Sequence, residues 1–450
     1  MARTQKCNCP SIIKEAAAII KENYIGYWYI KDKNAYTNLL NKLLNKAKRT
    51  SQDDCYMLAG ELVAFFRDNH ISYEHQLDLK TYKKVYSKIA ANDTGLKQYV
   101  ENTKDKTEGL WLAENNMELL FAQRMRLGVY NFYVVKEKFD SWERGYLKYS
   151  IYQRKDNEIY CCNYQPSAKS YRQQFSIGSL SDSIFKESGI FSNRKVPWNY
   201  FKKFDDLEFI YPRTKFKFSL LDSNTCLLQF PSFAGKAEKI IDSMVKTNDN
   251  ILRSKKNLII DVRGNFGGNS DSYQPLVKYV YDENFKVTNA YDLATEKSIK
   301  LIDDYLKDSG ITKREIIEYT LLVKKMKAGI NKPVYDNSPY EYPKEILKYP
   351  ASIAVLFNNK TASAAELFIQ VASTSKKVKL FGINSSGAVD FGWAIKNTFK
   401  CNNYRLDLPV QMNSNTLIMR SDIKGISPDV LLAGKEETWY DQILNNSFFY

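Results

Sequence analysis

The sequence predicts a multidomain α+β protein. A helical region spans 1–85, a small antiparallel β domain 105–190 and an α/β core 200–450. Three observations carry this prediction. The apolar spacing is helical at first, alternates from about Gly109, and from about residue 206 becomes buried runs separated by helical stretches. At 450 residues the chain has room for two or three domains. With 44% apolar and 14% aromatic residues it can bury a substantial core, which excludes global disorder.

In the first region Ile12, Ile13, Ala16, Ile19 and Ile20 recur at helical spacing behind Pro10. Leu39, Leu40, Leu43, Leu44 and Ala47 repeat the pattern, and Leu58, Leu62, Ala64 and Phe65 lead to Asp68-Asn69-His70. The runs from Val129 to Val135 and from Leu147 to Tyr152 are aromatic and strand-like, as in a small antiparallel barrel or sandwich. Residues 176–205 are polar and read as a linker. Beyond them, Thr225 to Phe230, Asn257 to Val262, Ser352 to Phe357 and Lys377 to Phe381 are strand candidates. The charged, helical stretch 293–347 reads as a lid or an insertion.

The formal charge of +15 would favour anionic partners. Lys and Arg alternate with Asp, Glu and aromatic residues, however, and no long basic tail exists. The charge therefore reads as a solvated surface, and no nucleic-acid partner is expected. The seven cysteines, Cys7, Cys9, Cys55, Cys161, Cys162, Cys226 and Cys401, form no Cys-x-x-Cys pair, so neither a metal nor another cofactor is expected. Their odd number leaves at least one thiol without an intramolecular partner, and their spacing does not settle the disulfide state. Cys161 and Cys162 should point to opposite faces of a strand. No apolar run reaches transmembrane length.

Thr361-Ala362-Ser363-Ala364-Ala365-Glu366 stands where a strand-like run gives way to a helical one. A helix N-terminus offers unpaired N–H groups and a positive dipole end, which can stabilise an oxyanion as a serine hydroxyl attacks a carbonyl. The same residues fit a capping box, Ser363 with Glu366. Asn257 to Gly268 reads as a buried strand entering a glycine-rich turn. Its glycines permit the close backbone approach an oxyanion hole needs, and equally an ordinary tight turn. A nucleotide loop fails, since neither Gly-x-Gly-x-x-Gly nor Gly-Lys-Ser/Thr occurs. A histidine is the usual base for a serine nucleophile, and the chain has only two, His70 and His75. Asp422 and Asp429 flank a turn near the C-terminus. Either could orient a histidine, and either could be a solvated turn residue, the reading favoured for Asp429.

Taken together, the segments 259–268 and 361–366, the turn from Gly382 to Gly387, and Gly425-Ile426-Ser427-Pro428-Asp429 resemble the tail-specific, or C-terminal processing, serine peptidases. That family includes the tricorn core protease and retinoid-binding relatives. The resemblance covers about 206–435 and extends to Asp68-Asn69-His70. It implies a crotonase-like α/β core, with Ser363 as nucleophile and an oxyanion hole made by the amides of Ala364 and of Gly267 or Gly268. The sequence departs from the Ser/Lys members, because Ala388 stands at the lysine position. The tricorn-like branch instead uses a histidine from the N-terminal part, which maps onto His70, and an acid that maps onto Asp422.

The resemblance therefore implies a serine endopeptidase acting on unfolded proteins or peptides, with Glu366 as a supporting residue. The alternative is an inactive relative that binds peptide or a hydrophobic ligand. The β domain lacks the glycine loop of a PDZ domain and resembles the small barrel of secreted Bacteroidota-type members. The expected location is extracytoplasmic, after removal of a leader. Membrane association is expected only through such a leader or a lipid anchor, and the oligomeric state is left open.

Overall fold

The computed structural model describes residues 8–51, 54–78, 85–139, 141–166, 170–187, 191–210, 215–307, 311, 313–338, 340–400, 403–422 and 424–449. Cys7, Cys401, the start at Met1-Ala2-Arg3 and Ile423 lie outside them. The chain divides into two compact units, Met1–Tyr211 with Ala394–Pro409, and Pro212–Trp393 with Val410–Tyr450.

The first unit opens with the helices Cys9–Asn23, Ile25–Trp28, Lys33–Ala47 and Cys55–Ala64. Their apolar stripes bury Ile12, Ile13, Ala16, Ile20, Leu43, Ala47, Ala59 and Leu62. Asn8 starts the first helix, its side chain accepting the Ser11 N–H, and a disulfide joins Cys9 to Cys55. Strand β1 (Ser72–Asp78) follows and pairs antiparallel with residues 404–407.

Eight further strands close a barrel: β2 (Gly109–Ala113), β3 (Glu118–Arg126), β4 (Val129–Glu137), β5 (Leu147–Gln153), β6 (Glu158–Pro166), β7 (Ser170–Leu180), β8 (Ile184–Glu187) and β9 (Phe191–Val196). Neighbours in sequence pair antiparallel, and β9 returns to β2. Alternation divides the side chains between two cores. Trp111, Leu120, Phe132, Ile151, Cys161 and Phe185 form one cluster, while Leu119, Phe121, Tyr133 and Val135 pack with Ala90, Leu96, Phe201 and Phe204. The polar stretch 176–205 is not a linker, because it supplies the end of β7 and all of β8 and β9.

The second unit is built on a six-stranded sheet. Its strands are β10 (Lys217–Leu220), β11 (Thr225–Gln229), β12 (Asn257–Asp261), β15 (Ser352–Phe357), β16 (Val378–Gly382) and β19 (Val430–Leu431), in that order. All neighbours are parallel except β10 and β11. Both faces are covered. Leu228, Leu258, Ile260, Val355 and Phe357 pack with Ile241, Val245, Phe368 and Ile369 on one side, and Leu227, Ile259, Leu356 and Phe381 with Trp439 and Ile443 on the other. Strands buried on both faces become continuous apolar runs, which is why they are visible in the sequence.

The stretch 293–347 holds the helices Glu296–Tyr305 and Lys313–Ala328, bracketed by strands β13 (Ala290–Leu293) and β14 (Pro333–Asp336), which pair antiparallel. The hairpin of β17 (Phe391–Thr398) and β18 (Tyr404–Asn413) supplies residues 394–409 to the first unit.

Candidate active site

Three parallel strands of the second unit, β12, β15 and β16, end in loops that carry motif residues. In open α/β sheets this carboxyl end is where ligands bind. The loop after β15 leads through Thr361 and Ala362 to Ser363, which starts the helix Ala364–Ala372. Ser363 has φ 55° and ψ −122°. This is a sparsely populated conformation for a residue with a side chain, costing on the order of 1–3 kcal/mol, and such strain gathers at functional sites. The turn persists because its flanks hold it. Thr361 Oγ1 donates to the Val262 carbonyl at 2.9 Å, and the Ala362 N–H donates to the Asn265 carbonyl at 2.9 Å.

The glycine-rich turn after β12 lies against this elbow. Asn265 is fully buried; its Nδ2 donates to the Phe230 carbonyl at 3.0 Å, and its Oδ1 accepts the Gly267 N–H at 2.9 Å. Asn358 Oδ1 accepts the Gly264 N–H at 3.0 Å. Beneath the turn, Arg263 pairs with Asp261 at 2.7 Å, donates to the Glu436 carbonyl at 2.7 Å and lies over the Tyr440 ring. With the Gly267 amide already paired, the Gly268 N–H remains. Among the described residues neither it nor the Ala364 N–H has an acceptor.

Glu366 is fully buried one turn into the helix. As the capping-box reading expects, its Oε2 accepts the Ser363 N–H, at 3.0 Å. The same carboxylate also organises the turn after β16. Oε1 accepts the Ser385 hydroxyl and, at 2.9 Å, the Gly387 N–H, while Oε2 takes the Ala388 N–H at 2.8 Å. Burial pushes the Glu366 carboxyl up, and hydrogen bonds from Ser385, Ala388, Gly387 and Ser363 pull the other way. Ser385 Oγ in turn accepts the Ile426 N–H at 2.6 Å, which ties in the Gly425 segment.

Asp422 is buried and is no solvated turn residue. Its Oδ1 accepts the N–H groups of Val389 and Asp390, each at 2.9 Å. Asp390 reciprocates, accepting the Ser421 N–H at 3.0 Å and the Asp422 N–H at 3.1 Å. Asp429 also has a structural role, its Oδ2 accepting the Leu380 N–H at 2.8 Å.

Thus Ser363, Ala364, Glu366, Gly267, Gly268 and Asp422 all belong to the second unit, and His70 belongs to the first. There, the buried Asp68 accepts the His70 N–H at 2.8 Å and the Tyr24 hydroxyl at 2.8 Å. The His70 Nδ1 stands 3.9 Å from Asp68 Oδ1, beyond hydrogen-bond range. The other histidine, His75, lies in β1 with its ring 4.2 Å from that of Tyr404. Sequence reasoning assigns no role to Asn265, Thr361 and Ser385, which lie inside its motif segments, and misses Asn358 and Asp390. The available signal is a polar residue inside an otherwise apolar or glycine-rich segment.

Residues 224–432 match Peptidase family S41. No curated protein matches the chain. Among solved structures the chain is similar to a mutant of CPAF, at 11% identity over 98% of this chain and 96% of that one, with a TM-score of 0.52. It is also similar to the photosystem II D1 C-terminal processing protease, at 11% identity over 98% and 99% of the two chains, with a TM-score of 0.41. The tricorn protease aligns over 97% of this chain and 35% of its own, at 11% identity and a TM-score of 0.34. At such identities the CPAF likeness speaks for the fold alone.

Proposed function

We propose that in this serine-type peptidase, whose residues 224–432 match Peptidase family S41, Ser363 is the nucleophile, His70 the general base and Asp422 the group that orients the base. The carrying observation is the backbone of Ser363, held at φ 55° on the first residue before a helix. A strained turn between strand and helix presents a hydroxyl to substrate while the helix amides face the same place.

In this reading Ser363 Oγ attacks the scissile carbonyl carbon and His70 accepts the hydroxyl proton. The carbonyl oxygen becomes an oxyanion, stabilised by the N–H groups of Ala364 and Gly268, for which no acceptor is found among the described residues. His70 then gives its proton to the leaving amine, and water releases the acyl group by the same steps. Asp422 stabilises the imidazolium and fixes its tautomer. Ala388 at the lysine position of Ser/Lys relatives supports a histidine base, since a methyl side chain cannot accept the proton.

We read the second unit as a crotonase-like core, supported by its parallel sheet covered on both faces. The substrates are unfolded proteins or peptides. The protein works outside the cytoplasm, where the Cys9–Cys55 disulfide would persist. The deciding experiment is labelling with a fluorophosphonate probe together with casein hydrolysis. Wild type is expected to label at Ser363 and to cleave. Ser363→Ala should do neither while keeping its circular dichroism, and a variant cleaving at the wild-type rate would overturn the assignment.

A further inference from the structure

The helix Lys313–Ala328 is apolar on two sides. Inward, Leu322, Val323 and Met326 pack with Ile299 and Ile302 of the helix Glu296–Tyr305. The outer side of such a helix is normally polar. Here it carries Ile316, Ile317 and Leu321, which are 45%, 62% and 45% exposed. Ile317 and Leu321, one turn apart, form a short strip, and Ile316 lies about 100° round the helix from Ile317. Exposed lysines bracket the strip, Lys313 one turn before Ile317, and Lys324 and Lys327 after Leu321. The helix's acids lie elsewhere. Glu315 is buried and accepts the Tyr305 hydroxyl at 2.7 Å, and Glu318 is half-buried. Among the described residues, the exposed face of this helix holds lysines and no carboxylate.

We propose that this helix face docks the protein on an anionic lipid surface. The two isoleucines and the leucine enter the boundary between headgroups and acyl chains, and the lysines extend from the strip to the lipid phosphates. The formal charge of +15 draws the whole protein the same way. Charge also argues against a second copy as the occupant. Two copies joined by this face, parallel or antiparallel, would bring lysine against lysine at both ends of the strip. The proposal does not depend on the catalytic assignment.

The test is co-sedimentation of the full chain with phosphatidylcholine vesicles containing roughly one-third phosphatidylglycerol, and with phosphatidylcholine alone. Wild type should pellet with the anionic vesicles and be released by salt. Ile317→Asp and Lys324→Glu should each weaken binding at least about tenfold. Unchanged circular dichroism and unchanged hydrolysis of a soluble peptide would show both variants to be folded. Failure of folded wild type to pellet, or equal binding by both variants, would overturn the proposal. So would a dimer in sedimentation velocity that Ile317→Asp dissolves, since a second copy would then cover the strip.

Discussion

Gly267 lies directly against Ser363. A Cβ added to Gly267 would stand 2.8 Å from the Ser363 Cβ, 2.8 Å from the Ala364 nitrogen and 2.7 Å from the Ala362 carbonyl oxygen. Its φ of 91° is likewise one that side-chain-bearing residues rarely adopt. The glycine-rich turn and the serine elbow are therefore one packed unit, and neither can move without the other.

Gly267→Ala should accordingly damage both stability and reactivity. The clash falls mostly on backbone atoms, so relaxation is expensive, and a loss of about 3 kcal/mol is expected from urea denaturation. The rate of fluorophosphonate labelling at Ser363 should fall as well. Normal labelling in a folded variant would show that the elbow tolerates displacement.

Glu366 gathers four donors on one buried carboxylate. Glu366→Gln would replace one accepting oxygen by an N–H₂ group that faces these donors. The expected cost is about 3 kcal/mol in chemical denaturation, with a lowered kcat where the fold survives. A variant as stable as wild type would mean that water replaces the lost acceptor.

Asp422→Asn separates support from catalysis. An asparagine Oδ1 can still accept the Val389 and Asp390 N–H groups, so the melting temperature should move little. Under the proposed orienting role kcat should drop at least about a hundredfold, and His70→Ala should cost more. An unchanged kcat for Asp422→Asn would shift the role to Asp68, which accepts the His70 backbone N–H and has Oδ1 3.9 Å from the His70 Nδ1.

Glu187, buried in the barrel, carries a pH signature. Burial pushes its carboxyl up from 4.5 to about 7, against the opposing influence of Asn163 and Lys148 and with Glu118 reinforcing the shift. The folded protein thus holds this proton after the unfolded chain has lost it. Stability should fall as pH rises from about 4.5 toward 7, by on the order of 3 kcal/mol for this group. Glu187→Gln should flatten the melting temperature across that window and raise it at its upper end. An unaltered pH dependence would place the titration elsewhere.

The sequence reveals those features that constrain residue type locally. Ile259 and Ile260, or Val355 and Leu356, are readable as strand because both faces of the sheet are buried. Gly267 and Gly268 are readable because only glycine fits where they lie. The strands within 176–205 are hidden because polar residues such as Glu187 and Asn193 occupy buried positions, so apolar alternation fails there. The supports of the candidate site are hidden for another reason. Ser385 meets Glu366 across 19 residues and Asp390 meets Asp422 across 32, and nothing in either local segment announces its partner. The pairing of Cys9 with Cys55 across 46 residues is likewise invisible to spacing.

Because residues 394–409 complete the first unit, its assembly cannot follow the order of synthesis. When the barrel strands have left the ribosome, β1 still lacks the neighbour that Tyr404 to Asp407 will provide, and the Tyr73 and His75 rings lack Tyr404. One side of β1 stays an open edge until almost the whole second unit has been made, and open edges invite wrong pairing. A ribosome halted before Ala394 would thus display a nearly finished domain in its most aggregation-prone form.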